Sequence, residues 1–361
     1  MTRVWQFLST ISYGDAVSND CLAMASLLTE KGIDNRISAR FNHLKGNNDV
    51  IRLEKAKKEI RPEDRVLLHL STGDEMNDWF ASLPNKKAVV YHNITPAKFF
   101  RQYNSVLSSN ASDGREQAAR MASSVDLAIT VSSYNAKELE EMGFPKPHVI
   151  PILMPFEDYA KEPDSKRMQE LSDGRTNIFF VGRVAPNKCQ EDIVSVFSEY
   201  VKQYDPTARL ILAGSATGTE LYRDRIVSFI EKLGLSGQVI LPGHTTFAEI
   251  LAFYKTADAF LIMSEHEGFC VPIVESFLFG VPVLACDYGA IGETMGTGGI
   301  LLSGKDPSKT AAVLHEMITD KALRDELKNN MKKELERFET GRVKAQLWDV
   351  LLPWLGNEAQ I

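Results

Sequence analysis

Across 361 residues there are only four cysteines, Cys21, Cys189, Cys270 and Cys286, scattered without a CxxC pair or a histidine at ligand spacing. Neither a zinc site nor a disulfide framework is expected, and the compartment reads as reducing. No apolar run approaches the length of a membrane span, and the opening "MTRVWQFLSTISYGDAV" lacks the charged region and apolar run of a signal peptide. The expected location is cytoplasmic, with peripheral contact at the inner face of the plasma membrane left open. An excess of positive charge is missing too: 41 Lys and Arg stand against 48 Asp and Glu, a formal net charge of -7. That balance speaks against nucleic acid as a partner, because phosphate contacts need a basic surface.

What is present is ordinary globular composition, 44% hydrophobic and 25% charged, in a chain longer than one ordinary domain. Two domains facing across a cleft are expected. Strand-like apolar runs occur at "RVWQFLS" (3–9), "DNRISAR" (34–40), "RVLLHLS" (65–71), "KAVVYHNI" (87–94), "DLAITVS" (126–132) and "HVIPILM" (148–154). The second half repeats them at "TNIFFVGRV" (176–184), "ARLILAG" (208–214), "GQVILPG" (237–243), "AFLIM" (259–263) and "VPVLACD" (281–287). Amphipathic segments alternate with both sets, near 18–31, 134–142, 189–203, 219–233, 246–256 and 272–279. Strands apolar on both faces, separated by helices, predict buried parallel sheets: an α/β architecture of two doubly wound, Rossmann-like domains. The first domain is expected over 1–160 and the second over 161–341, with a charged, proline-bearing link at 155–175 and a late apolar helix, about 342–361, packing back on the first.

The stretch "SEHEGFCVPIVESFLFG" (264–280) joins a short buried strand to a helix that opens near Pro272 and closes at Gly280. Ligands of open α/β sheets bind outside the carboxyl ends of the strands, and a helix N-terminus offers N–H groups to anions, so this segment reads as an anion site. Of its acids, Glu267 belongs to the loop and Glu275 to the first helical turn; one suits a reacting sugar, the other a ribose diol. An acid so placed could equally complement the helix dipole. In "FFVGRVAPNKCQEDIV" (179–194), Gly182 lets a backbone approach a ligand, and Arg183 and Lys188 are spaced to clamp a diphosphate.

Taken together, "VGR…NK" (181–188), "LAGSA" (212–216), the run from "LPGH" to "PIVE" (241–275) and "GVPVLACDYGA" (280–290) resemble the retaining glycosyltransferases of family four, which have the GT-B fold. The resemblance implies a domain that binds a nucleotide-diphosphate sugar. By position, Arg183 and Lys188 would hold the diphosphate, Glu275 the ribose hydroxyls, and Glu267 with the backbone of Gly268, Phe269 and Cys270 the transferred sugar, with Val271 near the phosphates. Gly182 and Gly214 would bring backbone close to the donor. Two positions depart from the pattern: Gly292 replaces a usual proline, and no acid follows Gly214 two residues on.

The first half resembles, through "GDAVSND" (14–20), "VVYHNITPAKFF" (89–100) and "DLAITVSSYNAKELEEMGF" (126–144), a bacterial subgroup associated with mannosyl transfer in surface-polysaccharide assembly. His92 is expected near the transferred sugar. Gly14 and Asp15 either approach the donor or form a simple βα turn with an N-cap. The resemblance implies retaining transfer of a hexose, GDP-mannose being the favoured donor, to a saccharide or lipid-linked saccharide. No metal and no cofactor are expected, and no Asp-x-Asp loop ends a strand. A phosphorylase- or epimerase-type GT-B enzyme and a non-catalytic nucleotide-sugar-binding subunit remain the alternatives.

Overall fold

The computed structural model describes residues 3–44 and 49–356. The described residues divide into two compact units, one drawn from 3–98, 106–155 and 338–356, the other from 99–105 and 156–337. No helix among the described residues is long and apolar enough to cross a membrane.

In the first unit the strands are β1 (Val4–Ile11), β2 (Asn35–Asn42), β3 (Val50–Arg52), β4 (Arg65–Leu70), β5 (Lys87–Tyr91), β6 (Leu127–Thr130) and β7 (His148–Val149). They lie in the order β3-β2-β1-β4-β5-β6-β7, with every pair parallel. Alternate residues Val4, Leu67, Ala88, Val90, Leu127 and Ile129 point to one face, as the two-residue period of a strand requires. There they pack with Met24 and Leu27 of the helix Ala16–Glu30 and with Val343, Leu347, Leu351 and Trp354 of the helix Thr340–Leu355. Arg65 closes that last helix by donating to the carbonyls of Trp354 and Leu355 at 3.0 and 3.2 Å, where unpaired helix carbonyls attract a cation. The end of the expected late helix, 357–361, lies outside the described residues.

The second unit holds β8 (Asn177–Val181), β9 (Arg209–Ala213), β10 (Val239–Gly243), β11 (Ala259–Ile262), β12 (Val283–Cys286) and β13 (Gly299–Leu302), ordered β10-β9-β8-β11-β12-β13 and again all parallel. β9, β11 and β12 are buried throughout. Their core includes Ile193, Val194 and Phe197 of the helix Gln190–Gln203 and Ile273 and Phe277 of the helix Val271–Phe279.

Some details differ from the sequence expectation. The run 148–154 pairs only at His148 and Val149, and Pro151, lacking an N–H, cannot extend the ladder. Of the charged stretch 155–175, residues 156–175 belong to the second unit and form the 3-10 turn Phe156–Ala160 and the helix Ser165–Leu171. Residues 99–105, inside the expected first domain, belong to the second unit.

Candidate functional site

In the second sheet the strand order reverses between β8 and β11. At such a reversal, adjacent connections leave in opposite directions and open a crevice at the carboxyl edge. The loops flanking it are 182–189, after β8, and 263–270, after β11, the two segments the sequence singled out.

Close backbone approach fixes the first loop. The Gly182 N–H donates to the Ala213 carbonyl at 3.0 Å and Val184 N–H to Ser215 at 2.9 Å. Gly214 has φ +147°, and a Cβ there would stand 1.9 Å from the Gly182 carbonyl oxygen, so only glycine fits. The 3-10 turn Pro186–Lys188 then leads through Cys189, at φ +50°, into the helix Gln190–Gln203. Arg183 is exposed and donates to the Thr217 carbonyl at 3.2 Å. Lys188 turns the other way: its Nζ lies 2.7 Å from both carboxylate oxygens of Glu267.

Glu267 is buried, and its backbone is held as firmly as its side chain. Ala290 N–H donates to the Glu267 carbonyl at 3.0 Å, and a Cβ on Gly289 would meet that oxygen at 2.5 Å. The Asn187 side chain donates to the neighbouring His266 carbonyl at 3.3 Å, and Thr294 donates to the Phe269 carbonyl. The loop Gly268–Cys270 therefore has its course fixed before any ligand arrives. Cys270, at φ +73°, caps the helix Val271–Phe279, which carries Pro272 in its first turn and ends at Gly280 with φ +66°. Burial pushes the Cys270 thiol well above its ordinary range, so it acts as a neutral wall rather than a nucleophile.

Glu275 is the fifth residue of this helix, one turn deeper than the first-turn position expected. Its Oε1 accepts from Tyr159 at 2.7 Å and its Oε2 from Tyr254 at 2.6 Å. Burial raises the carboxyl pKa, and the two phenols oppose that rise. A carboxylate has about four lone-pair sites, so acceptor capacity remains for a diol.

Sequence reasoning missed a cavity of ≈ 260 Å³ at the carboxyl ends of β9 and β10, lined by Val184, Leu212, Ser215, Glu220, Arg223 and His244 among others. The strand-end rule applied to "LPGH" (241–244) was the available signal. It also missed Tyr159 and Tyr254, which meet Glu275 from 116 and 21 residues away. The aromatics Phe156 and Tyr159 in a largely charged link were a hint.

The first sheet reverses between β1 and β4. Gly14, at φ +76° with open space where a Cβ would stand, turns the chain after β1. Asp15 is the N-cap of the helix Ala16–Glu30, its Oδ2 accepting from Ser18 N–H at 3.0 Å and Ser18 Oγ at 2.7 Å; this is the βα-turn arrangement. His92 directly follows β5, as the sequence places it, and its side chain is only 3% exposed. Its Nε2 lies 3.1 Å from His69 Nδ1, while its Nδ1 is buried without a partner among the described residues. Burial lowers its pKa to about 3, leaving the ring neutral.

Residues 161–334 match the family model described as Glycosyl transferases group 1. D-inositol 3-phosphate glycosyltransferase from Rhodococcus erythropolis is 26% identical over 247 residues, 64% of this chain and 56% of that protein. The enzyme of the same name from Thermobispora bispora is 27% identical over 219 residues, 57% and 50% respectively. The chain thus spans about half the length of the curated relatives it matches. Among solved structures, HepE of Anabaena in complex with UDP and glucose has a TM-score of 0.79 at 16% identity, covering 98% of this chain and 100% of that one. Sucrose-phosphate synthase from Thermosynechococcus elongatus reaches 0.76 at 15% identity, covering 98% and 99%. Both likenesses concern the fold, which is that of the GT-B glycosyltransferases: two Rossmann-like units, each on a parallel sheet.

Proposed function

We propose that the protein is a retaining glycosyltransferase that moves a hexose from a nucleotide-diphosphate sugar to a saccharide or lipid-linked saccharide. The observation that supports this reading is the pairing of Lys188 with Glu267 at the strand-order reversal of the second sheet, with Glu267 in the loop that leads to the N-terminus of the helix Val271–Phe279 and Arg183 on the same loop as Lys188. Two cations and a helix N-terminus suit a diphosphate, whose negative charge grows as it departs. Positive charge meanwhile builds on the anomeric carbon, in an oxocarbenium-like transition state. Glu267 and the fixed backbone of Gly268, Phe269 and Cys270 hold the sugar; Glu275 takes the ribose diol; Gly182 and Gly214 let the chain run close to the phosphates. The cavity beside Gly214, part apolar and part polar, suits a heterocyclic base. Arg183 and Lys188 supply the leaving-group stabilisation, so the reaction as read needs no metal at the diphosphate. His92, Gly14 and Asp15 are the contribution proposed for the first unit, with His92 at the transferred sugar.

For the donor, the resemblance of the first half to mannosyl-transfer enzymes favours GDP-mannose. The UDP and glucose held by HepE favour a uridine donor as the second reading. A melting-temperature screen over GDP-, UDP- and ADP-sugars tests both, because a ligand that binds only the folded state raises its stability. Stabilisation by one class together with acceptor-dependent release of the nucleoside diphosphate supports transfer. Binding without release under any acceptor would favour a non-catalytic subunit, and turnover without an acceptor would favour a phosphorylase or epimerase.

A further inference from the structure

We propose that Asp20, His69 and His92 form a binding site for a divalent transition-metal ion of the zinc class within the first unit, separate from the diphosphate residues Arg183 and Lys188. Asp20 sits in the first helix after β1, His69 near the end of β4, and His92 directly after the neighbouring β5, so the fold brings the three together toward the carboxyl ends of the central strands. Their facing atoms, one from each residue, all lie within 4.8 Å of one another. His69 Nδ1 is 3.1 Å from His92 Nε2, which is 3.7 Å from Asp20 Oδ2. Ligands bound at about 2.0–2.1 Å on tetrahedral corners stand about 3.3 Å apart. The two measured separations bracket that value.

A simple hydrogen bond between the imidazoles accounts for one of these separations and leaves the rest unexplained. Asp20 is 4% exposed, and among the described residues no lysine or arginine pairs with it. A buried carboxylate without a cation is costly, and a metal ion would supply the missing charge. The outward atoms are held as metal ligands usually are. His69 Nε2 lies 3.0 Å from Gln6 Oε1, which fixes the Nε2–H tautomer and turns the Nδ1 lone pair inward. Asp20 Oδ1 accepts from Leu153 N–H at 3.0 Å, leaving Oδ2 toward the histidines. Two imidazoles and one carboxylate suit zinc, cobalt or nickel rather than magnesium or calcium. With Nε2 on the metal, His92 Nδ1 keeps a proton and becomes a donor.

The experiment titrates the chelator-stripped, full-length protein with Co²⁺ alone and then with Zn²⁺. Expected is one equivalent bound per chain, with visible ligand-field absorption and a raised melting temperature. Gln6→Ala, outside the ligand set, should weaken binding about 10- to 100-fold, and His69→Gln and Asp20→Asn should weaken it further. Nitrogen-15 NMR of the wild-type protein should show Zn²⁺ moving the His69 Nδ1 and His92 Nε2 resonances, a readout that does not depend on any variant folding. Absence of uptake by the wild-type protein overturns the proposal. So does uptake that shifts other histidines, or that survives in folded His69→Gln and Asp20→Asn.

Discussion

Lys188 Nζ lies 2.7 Å from each carboxylate oxygen of Glu267, so the cation assigned to the diphosphate is bound bidentately by the acid assigned to the sugar. A diphosphate arriving at Lys188 must compete with that pair. Glu267→Gln removes the competing charge while keeping the shape, and should tighten nucleoside-diphosphate binding on the order of 10-fold, about 1.4 kcal/mol, while lowering kcat. Calorimetry and steady-state kinetics measure the two effects. Unchanged affinity together with unchanged turnover would place Glu267 outside the reaction.

Lys188→Ala should weaken binding of the nucleoside diphosphate much more than that of the bare nucleoside. Loss of one charge-assisted hydrogen bond corresponds to about 1.5–3 kcal/mol, roughly 10- to 150-fold in Kd. Calorimetry with both ligands decides it. Equal losses for the two would show that Lys188 does not touch phosphate.

The Glu275 carboxyl has its pKa raised by burial and pulled back by Tyr254 and Tyr159. In the proposed role its ionised form accepts the ribose hydroxyls, so nucleoside affinity should fall as pH drops through that raised pKa. Tyr254→Phe removes a hydrogen bond that favours the carboxylate, and should therefore move the midpoint of the affinity profile to higher pH. Glu275→Ala should raise the donor KM and abolish this step in the profile. A Tyr254→Phe profile coincident with the wild type would mean that the phenol does not tune the acid.

The middle of each sheet was legible because strands such as β9 and β11 are uniformly apolar and buried. The edges were not. β3 and β13 escaped the sequence reading, for they lie at sheet margins, are only partly buried, and in β13 the glycines of "TGGILLSG" (297–304) mimic a loop. Loop chemistry followed the strand ends, so Arg183, Lys188 and Glu267 could be proposed from position alone. Their partners could not: the Tyr159–Glu275 contact spans 116 residues and depends on how the link folds, and the His69–His92 approach depends on β4 and β5 being adjacent and in register.

Gly214 and Gly14 separate two reasons for glycine. At Gly14 only the positive φ is at stake, since among the described residues nothing lies within 4 Å of a Cβ; Gly14→Ala should cost about 1–2 kcal/mol and leave the Arg183 loop in place. At Gly214 the Cβ would enter the Gly182 carbonyl, so Gly214→Ala must push the Arg183 loop away. Its melting temperature should fall further than that of Gly14→Ala, and its nucleoside-diphosphate affinity should fall with it. Differential scanning calorimetry and a binding titration make the comparison. Equal melting temperatures with normal binding would refute the close-approach argument.

His92 tests whether the first unit takes part in transfer. The residues proposed for the diphosphate all belong to the second unit, so His92→Ala should leave nucleoside-diphosphate affinity almost unchanged. If its ring contacts the transferred sugar, turnover should fall on the order of 10²-fold or more, as loss of an active-site polar contact typically gives. The ring is neutral because burial depresses its pKa to about 3, so between pH 5 and 8 the wild-type rate should show no step from His92. A step near the ordinary histidine value that vanishes in His92→Ala would mean that the ring is exposed and charged during turnover. A melting curve must accompany the kinetics: a ring that only packs against His69 would lose stability when removed while the surviving folded fraction transferred normally. Near-normal transfer per folded molecule would remove His92 from the reaction and leave the site to the second unit's residues alone.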